Sequence, residues 1–257
     1  MDTARISVIF DLDGTLVDSE PNYYEATLRT LSAYGVTRED FGWEDHTRFI
    51  GIGTRESLEL LAERYGVDAP LDELLSATNR HYLELARAST PVFPEMRKLV
   101  ERLYADGVPM AVASGSSRAA IEAVLAGTGL DAYLTTLVSA EEVPRGKPEP
   151  DVFLEAARLL GAVPENCVVL EDAPPGAAAA RAAGMRCLAL PYVPGTADEP
   201  AFATADRLFR GGQAEFTAQA ALAVLEALSS GSAVSATSPS AVEWSADARP
   251  ARSRDAS

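Results

Sequence analysis

The stretch ISVIFDLDGTL, Ile6 to Leu16, limits the folds open to this chain more than any other. Ile6, Val8, Ile9 and Phe10 form a short apolar, largely β-branched run of strand length, which predicts a buried strand. The run stops at Asp11-Leu12-Asp13-Gly14-Thr15. In an extended chain residues i and i+2 share a face, so Asp11 and Asp13 are expected to project together. Adjacent carboxylates repel, and a divalent cation between them lowers that cost. Gly14 permits a sharp bend. A strand ending in an ordinary Asp-Gly turn has the same residues, so the rest of the chain must decide between a site and a turn.

Strands and helices alternate along most of that chain. Apolar strands are predicted over Val108–Ala113, Leu134–Val138, Cys167–Leu170 and Arg186–Leu190. Helices are predicted over Pro94–Asp106, from Ser117 to about Ala126, over Asp151–Leu160 and over Ala177–Ala183. Such alternation implies an α/β fold with a parallel sheet wrapped by helices. Between Pro21 and Ala88 the pattern is helical only, with segments at Pro21–Tyr34, Thr54–Tyr65 and Leu71–Ala88. The expected organisation is a core of residues 1–17 and 89–228, a small all-helical domain of residues 18–88 inserted after the first strand, and a disordered tail of residues 229–257. That tail is rich in Ser, Ala, Pro and Arg and holds Trp244.

In parallel α/β sheets a ligand sits at the carboxyl ends of the strands. Asp11, Asp13, Ser114, Glu171 and Asp172 all follow predicted strands directly, and Lys147 opens the loop before a helix. Each alone is ordinary: a helix-capping serine loop, a solvated lysine, a strand-ending turn. Their convergence on one sheet edge favours a site. If the chemistry is phosphoryl transfer, Asp11 is the nucleophile that gives an aspartyl-phosphate. Asp13 then protonates the leaving oxygen and activates water. Asp172 and Glu171 join the first two acids in a magnesium site, whose hard ion takes oxygen ligands. Lys147 offsets the carboxylates and holds a phosphoryl oxygen. Ser114 and Gly115, at the start of a helix, offer hydrogen bonds to an anion.

Composition narrows the partners. The chain of 257 residues carries a formal net charge of −16, with 47% hydrophobic residues. That balance is wrong for a general nucleic-acid binder or an anionic-membrane binder. Cys167 and Cys187 lie in apolar runs and are expected to be reduced core residues. With no basic leader pattern and no run of 18 apolar residues, a cytoplasmic protein is expected.

The set DLDGT, the apolar strand ending at Ser114, GKPEPDVF around Lys147 and LEDAPPGAAAARAAG around Glu171-Asp172 resembles the four motifs of the haloacid dehalogenase-like hydrolases. The likeness spans about Ile6 to Leu190. The helical insert resembles the α-helical cap of the branch that holds sugar-phosphate phosphatases and β-phosphoglucomutases. The resemblance implies a Rossmann-like parallel sheet core, magnesium, an aspartyl-phosphate intermediate and the roles just given to Asp11, Asp13, Ser114, Lys147 and Asp172. Arg55, in GIGTR, resembles that branch's cap substrate loop. The expected function is hydrolysis of a small phosphorylated metabolite, a sugar or polyol phosphate, by a monomer or weak homodimer. A mutase of the β-phosphoglucomutase type is the competing activity. Such mutases usually carry a histidine near the position of Tyr23, whereas this chain has only His46 and His81. A regulator that binds a phosphorylated ligand without turnover is the alternative outside catalysis, and the presence of every expected catalytic residue counts against it.

Overall fold

The structure, a computed structural model, describes residues 6–230. Among them six parallel strands form one sheet in the order β3-β2-β1-β4-β5-β6. The strands are β1 (Ser7–Phe10), β2 (Met110–Ser114), β3 (Thr136–Ser139), β4 (Cys167–Glu171), β5 (Arg186–Ala189) and β6 (Arg207–Leu208). β1 is central, with Val8 opposite Met110 on one side and Val168 on the other. Apolar side chains cover both sheet faces. Val8, Phe10, Val112 and Leu170 belong to one core cluster, and Ile9, Ala111, Ala113 and Val169 to the other. This two-sided burial accounts for strands that read as continuous apolar runs.

Between β1 and β2 the chain forms α1 (Glu20–Ser32), α2 (Trp43–His46), α3 (Thr54–Tyr65), α4 (Leu71–Ala88) and α5 (Pro94–Ala105). The first of these do not form a sheet. They share a separate apolar cluster of Tyr24, Leu28, Leu31, Val36, Phe41 and Leu61. α4 packs on α1 and also on α6 (Arg118–Thr128), and its Tyr82 and Ala86 enter the core cluster. The helical unit is therefore seated on the sheet-and-helix body through α4. The remaining helices are α7 (Asp151–Leu160), α8 (Pro174–Ala182) and α9 (Ala218–Ser229).

The α/β class and the expected core strands and helices are present, with ends shifted by one to three residues in most cases. α8 begins at Pro174, three residues before the expected start, because proline is well tolerated in a first helical turn. α2, β6 and α9 were not expected from sequence. The tail expected from Ser229, with Trp244, lies outside the described residues apart from Ser229 and Ser230; Ser229 is still helical.

Candidate active site

β1 is followed by β2 and β3 on one side, after which the chain crosses to β4 on the other. The order reverses between β1 and β4, the place where parallel sheets open a crevice at their carboxyl ends. Asp11 leaves β1 there and Asp172 leaves β4. A cavity of about 210 Å³ lies over this edge. Its sheet side carries Asp11, Asp13, Gly115, Ser116, Lys147, Glu171 and Asp172. The helical unit contributes Glu20, Tyr23, His46, Phe49, Ile50, Ile52, Leu58 and Leu61. The volume falls below that of sites for drug-sized ligands, roughly 300–1,000 Å³, and suits a small metabolite.

Lys147 joins the acids. Its Nζ donates to Asp11 Oδ1 and to Glu171 Oε1, both at 2.5 Å, while the ammonium lies over the Phe153 ring. Burial opposes the charged lysine, but Asp11 and Glu171 outweigh it and hold its pKa above the ordinary lysine value. Asp11 is pushed up to about 8, first by burial; Glu171 and Asp13 add to the rise and Lys147 opposes it. Asp11 Oδ2 has no hydrogen-bond partner among the described residues, so one carboxylate oxygen is held and the other is available.

Asp13 is enclosed by hydroxyls. Ser19 Oγ (2.7 Å) and Tyr82 OH (3.2 Å) donate to Oδ1; Ser114 Oγ (3.1 Å) and Ser116 Oγ (2.5 Å) donate to Oδ2. Hydroxyls rotate and both donate and accept, so the cage can serve Asp13 with or without a proton. Tyr23 OH lies 2.5 Å from Ser116 Oγ, and the Tyr23 ring stacks on Tyr82 at 4.0 Å. Burial first, then the Asp13 charge, raises the pKa of both phenols.

The acids also test whether a divalent cation fits. Asp172 accepts from Thr15 Oγ1 at 2.9 Å, but its Oδ2 is buried with no hydrogen-bond partner. Gly14, at φ +79°, lies so near that a Cβ there would be 2.4 Å from that oxygen. Burial, followed by the charges of Glu171 and Asp11, pushes Asp172 well above the usual carboxylate range. Three buried carboxylates thus face a single ammonium, with one oxygen orphaned. That arrangement fits a hard cation. Among the described residues no three His, Cys, Asp or Glu side chains stand in a ready-made ligand cluster. Asp11 and Asp172 are the two with free oxygens, and Mg²⁺ characteristically retains water in its other positions.

Several expected roles need correction. Glu171 accepts from Lys147 through Oε1 and from the Ala173 N–H through Oε2 at 2.9 Å, so the contact it makes here is that of an anchor for the lysine. Both side-chain oxygens of Asp13 accept from hydroxyls. Ser114 is fully buried and donates to Asp13; Ser116 and Gly115 line the cavity in its place. Arg55 does not enter the cavity. Its guanidinium pairs with Asp72 at 2.6 Å in solvent, because Thr54, Leu58 and Leu61 form the inward stripe of α3 and Arg55 lies off it. Ser19 holds the N-cap position of α1 without capping it, since its hydroxyl goes to Asp13. The site further contains Ser116, Tyr82, Thr15, Glu20 and His46, to which sequence reasoning gave no role there. Thr15 and Ser116 were findable, as immediate neighbours of the motif residues.

A family model described as haloacid dehalogenase-like hydrolase matches residues 7–184. A fructose-1-phosphate phosphatase, YqaB of Escherichia coli, is 37% identical over 180 residues, 69% of this chain and 92% of that protein. A bifunctional riboflavin kinase/FMN phosphatase of Arabidopsis thaliana is 33% identical over 191 residues, 73% of this chain; the match spans only 48% of the plant protein. Among solved structures, CbbY from Rhodobacter sphaeroides in complex with xylulose-(1,5)bisphosphate superposes with a TM-score of 0.70 at 26% identity. That match covers 82% of this chain and 96% of CbbY.

Proposed function

The chain belongs to the haloacid dehalogenase-like hydrolase family, and on that premise we propose that it is a magnesium-dependent phosphatase of small sugar or polyol phosphates. The observation that carries this reading is one small cavity in which Asp11 keeps a free carboxylate oxygen beside Lys147, with a second carboxyl, Asp13, held in its hydroxyl cage at the same sheet edge. The fructose-1-phosphate specificity in the name of a relative 37% identical supports the substrate class.

In the first step a carboxylate oxygen of Asp11 attacks phosphorus, the P–O bond to the sugar or polyol oxygen breaks, and an aspartyl-phosphate forms. Lys147 fixes Asp11 through Oδ1 and puts positive charge beside the phosphoryl oxygens. Asp13 delivers its proton to the leaving oxygen, then takes one from water, which hydrolyses the acyl phosphate. The hydroxyl cage holds Asp13 in place through both changes. A magnesium ion held by Asp11 and Asp172 would offset charge between the phosphoryl oxygens and the carboxylates. The helical unit acts as a cap that excludes bulk water. We assign the protein to the cytoplasm, as a monomer or weak homodimer. Both cysteines are buried and free, and among the described residues no helix is long and apolar enough to cross a membrane.

A second reading, return of the phosphoryl group to the sugar, is favoured by one observation: His46 reaches the cavity from α2, although no histidine occupies α1. Phosphate release from sugar, polyol and nucleotide monophosphates, with magnesium or EDTA, tests both. The hydrolase reading expects magnesium-dependent release that falls by about a thousandfold or more in Asp11→Asn. Conversion of β-glucose 1-phosphate to glucose 6-phosphate with little release would mean a mutase. Full activity in Asp11→Asn would remove Asp11 as nucleophile.

A further inference from the structure

Glu20 and His46 form a buried polar pair to which the hydrolytic steps above assign no role. Glu20 Oε2 lies 2.9 Å from His46 Nε2, and the two residues are only 7% and 6% exposed. They come from different elements, the first residue of α1 and the last of α2, and both line the cavity that holds Asp11. Their other neighbours are aromatic: the rings of Tyr24, Phe41 and Trp43 surround the imidazole. Tyr24 and Phe41 also belong to the apolar cluster of the helical unit, so the pair sits at the edge of that cluster where it meets the cavity. Burial raises the pKa of the Glu20 carboxyl, against the hydrogen bond from His46. Burying such a pair costs free energy that an apolar pair would not. Among the described residues His46 is the only hydrogen-bond partner of the Glu20 side chain, so Oε1 keeps its full acceptor capacity.

An acceptor carboxylate oriented by an imidazole, in a wall whose other polar groups are the hydroxyls of Tyr23, Thr27, Thr54 and Ser57, is suited to the hydroxyl of a bound carbon chain. We propose that the Glu20–His46 pair is the specificity element of this site, reading hydroxyl groups on the non-phosphorylated part of the substrate. This inference rests on the phosphatase reading above. A site with a buried acceptor discriminates strongly against an analogue that lacks the hydroxyl, because the acceptor is then left unpaired and dehydrated. The same pair disfavours a substrate that presents a second carboxylate there, through like-charge repulsion.

The test compares sorbitol 6-phosphate with n-hexyl phosphate, two six-carbon esters that differ in their hydroxyls. Wild-type kcat/KM is expected to favour the hydroxylated ester by about a hundredfold or more. Glu20→Gln and His46→Leu should each cut that preference by about tenfold or more, mainly through KM, while n-hexyl phosphate turnover stays within about threefold. Melting temperatures are read alongside. If either variant fails to fold, Glu20→Asp, which withdraws the carboxylate by one methylene, must show the same loss. Wild-type hydrolysis of both esters with equal efficiency would overturn the specificity role and leave the phosphatase reading standing. A parallel fall on both esters in the variants would also overturn it. No magnesium-dependent release from any ester would sink the phosphatase reading, and this one with it.

Discussion

At the scale of single residues, the site is a balance between three buried carboxylates and one ammonium. Lys147 bridges Asp11 and Glu171. Lys147→Ala leaves both carboxylates buried without their cation, a loss of about 3–5 kcal/mol for a broken buried pair. Its urea midpoint should fall along with its activity; wild-type stability with wild-type rates would take Lys147 out of the site. Asp172 has the opposite sign. Its buried Oδ2 is unpartnered and its neighbours are acids, so Asp172→Asn removes repulsion and should raise the melting temperature of the cation-free protein. The same variant should lose the stabilisation that magnesium gives the wild type, about 2.7 kcal/mol at a hundred times Kd. A thermal shift with magnesium as large as the wild type's would place the ion elsewhere. Asp11, Asp13, Lys147 and Asp172 were legible in the sequence because each lies in a loop just after a strand or just before a helix, where local pattern fixes position. Glu20, His46 and Tyr82 were not, since the way α1, α2 and α4 dock brings them to the cavity. Arg55 was misjudged for the same reason: its place beside a loop was readable, its turn toward Asp72 was not.

At the scale of elements, local chemistry and tertiary docking divide cleanly. α3, α4 and α7 have the ends expected from apolar spacing and from the residues that flank them. β6 has two residues, too few for any periodicity, and exists because Leu188 and Ala189 of β5 offer it a paired edge. α9 carries a local cue of its own: Thr217 accepts the Ala220 N–H as an N-cap, and Ala218, Ala221, Leu225 and Leu228 form a helical stripe packed on α5. The loop between α2 and α3 couples the helical unit to the sheet edge. Gly51 there has φ +85°, and a Cβ would sit 2.8 Å from the Ala173 Cβ, just after β4. Gly51→Ala therefore strains the backbone by roughly 1 kcal/mol and lifts Ile50 and Ile52 off the core. Because those residues line the cavity, KM is expected to rise several-fold with kcat less affected. Steady-state kinetics showing an unchanged KM would mean that this loop does not set substrate fit.

At the scale of the whole molecule, the protein carries a charge opposed to its substrate's needs. A formal net charge of −16 surrounds a site that we propose takes up a phosphate dianion. The long-range field therefore repels the substrate, while Lys147 and the bound cation act only at short range. These two contributions respond differently to salt. Raising ionic strength from about 0.01 M to about 0.15 M shortens the screening length from about 30 Å to about 8 Å. That suppresses the repulsion from the distant surface acids and leaves the buried contacts almost untouched. With magnesium saturating, kcat/KM for a dianionic ester should then rise about twofold to fivefold with salt, with kcat nearly constant. Most proteins that steer an anion by a basic surface show the reverse. A fall in kcat/KM would mean that the local positive potential at the cavity mouth reaches beyond the acidic surface. The helical unit, with its exposed Arg38, Arg48, Arg55 and Arg64, would then be the source to neutralise next. Each of those arginines is already paired with a surface acid, and paired charges cast little field at a distance. For that reason the salt-induced rise is the expected result.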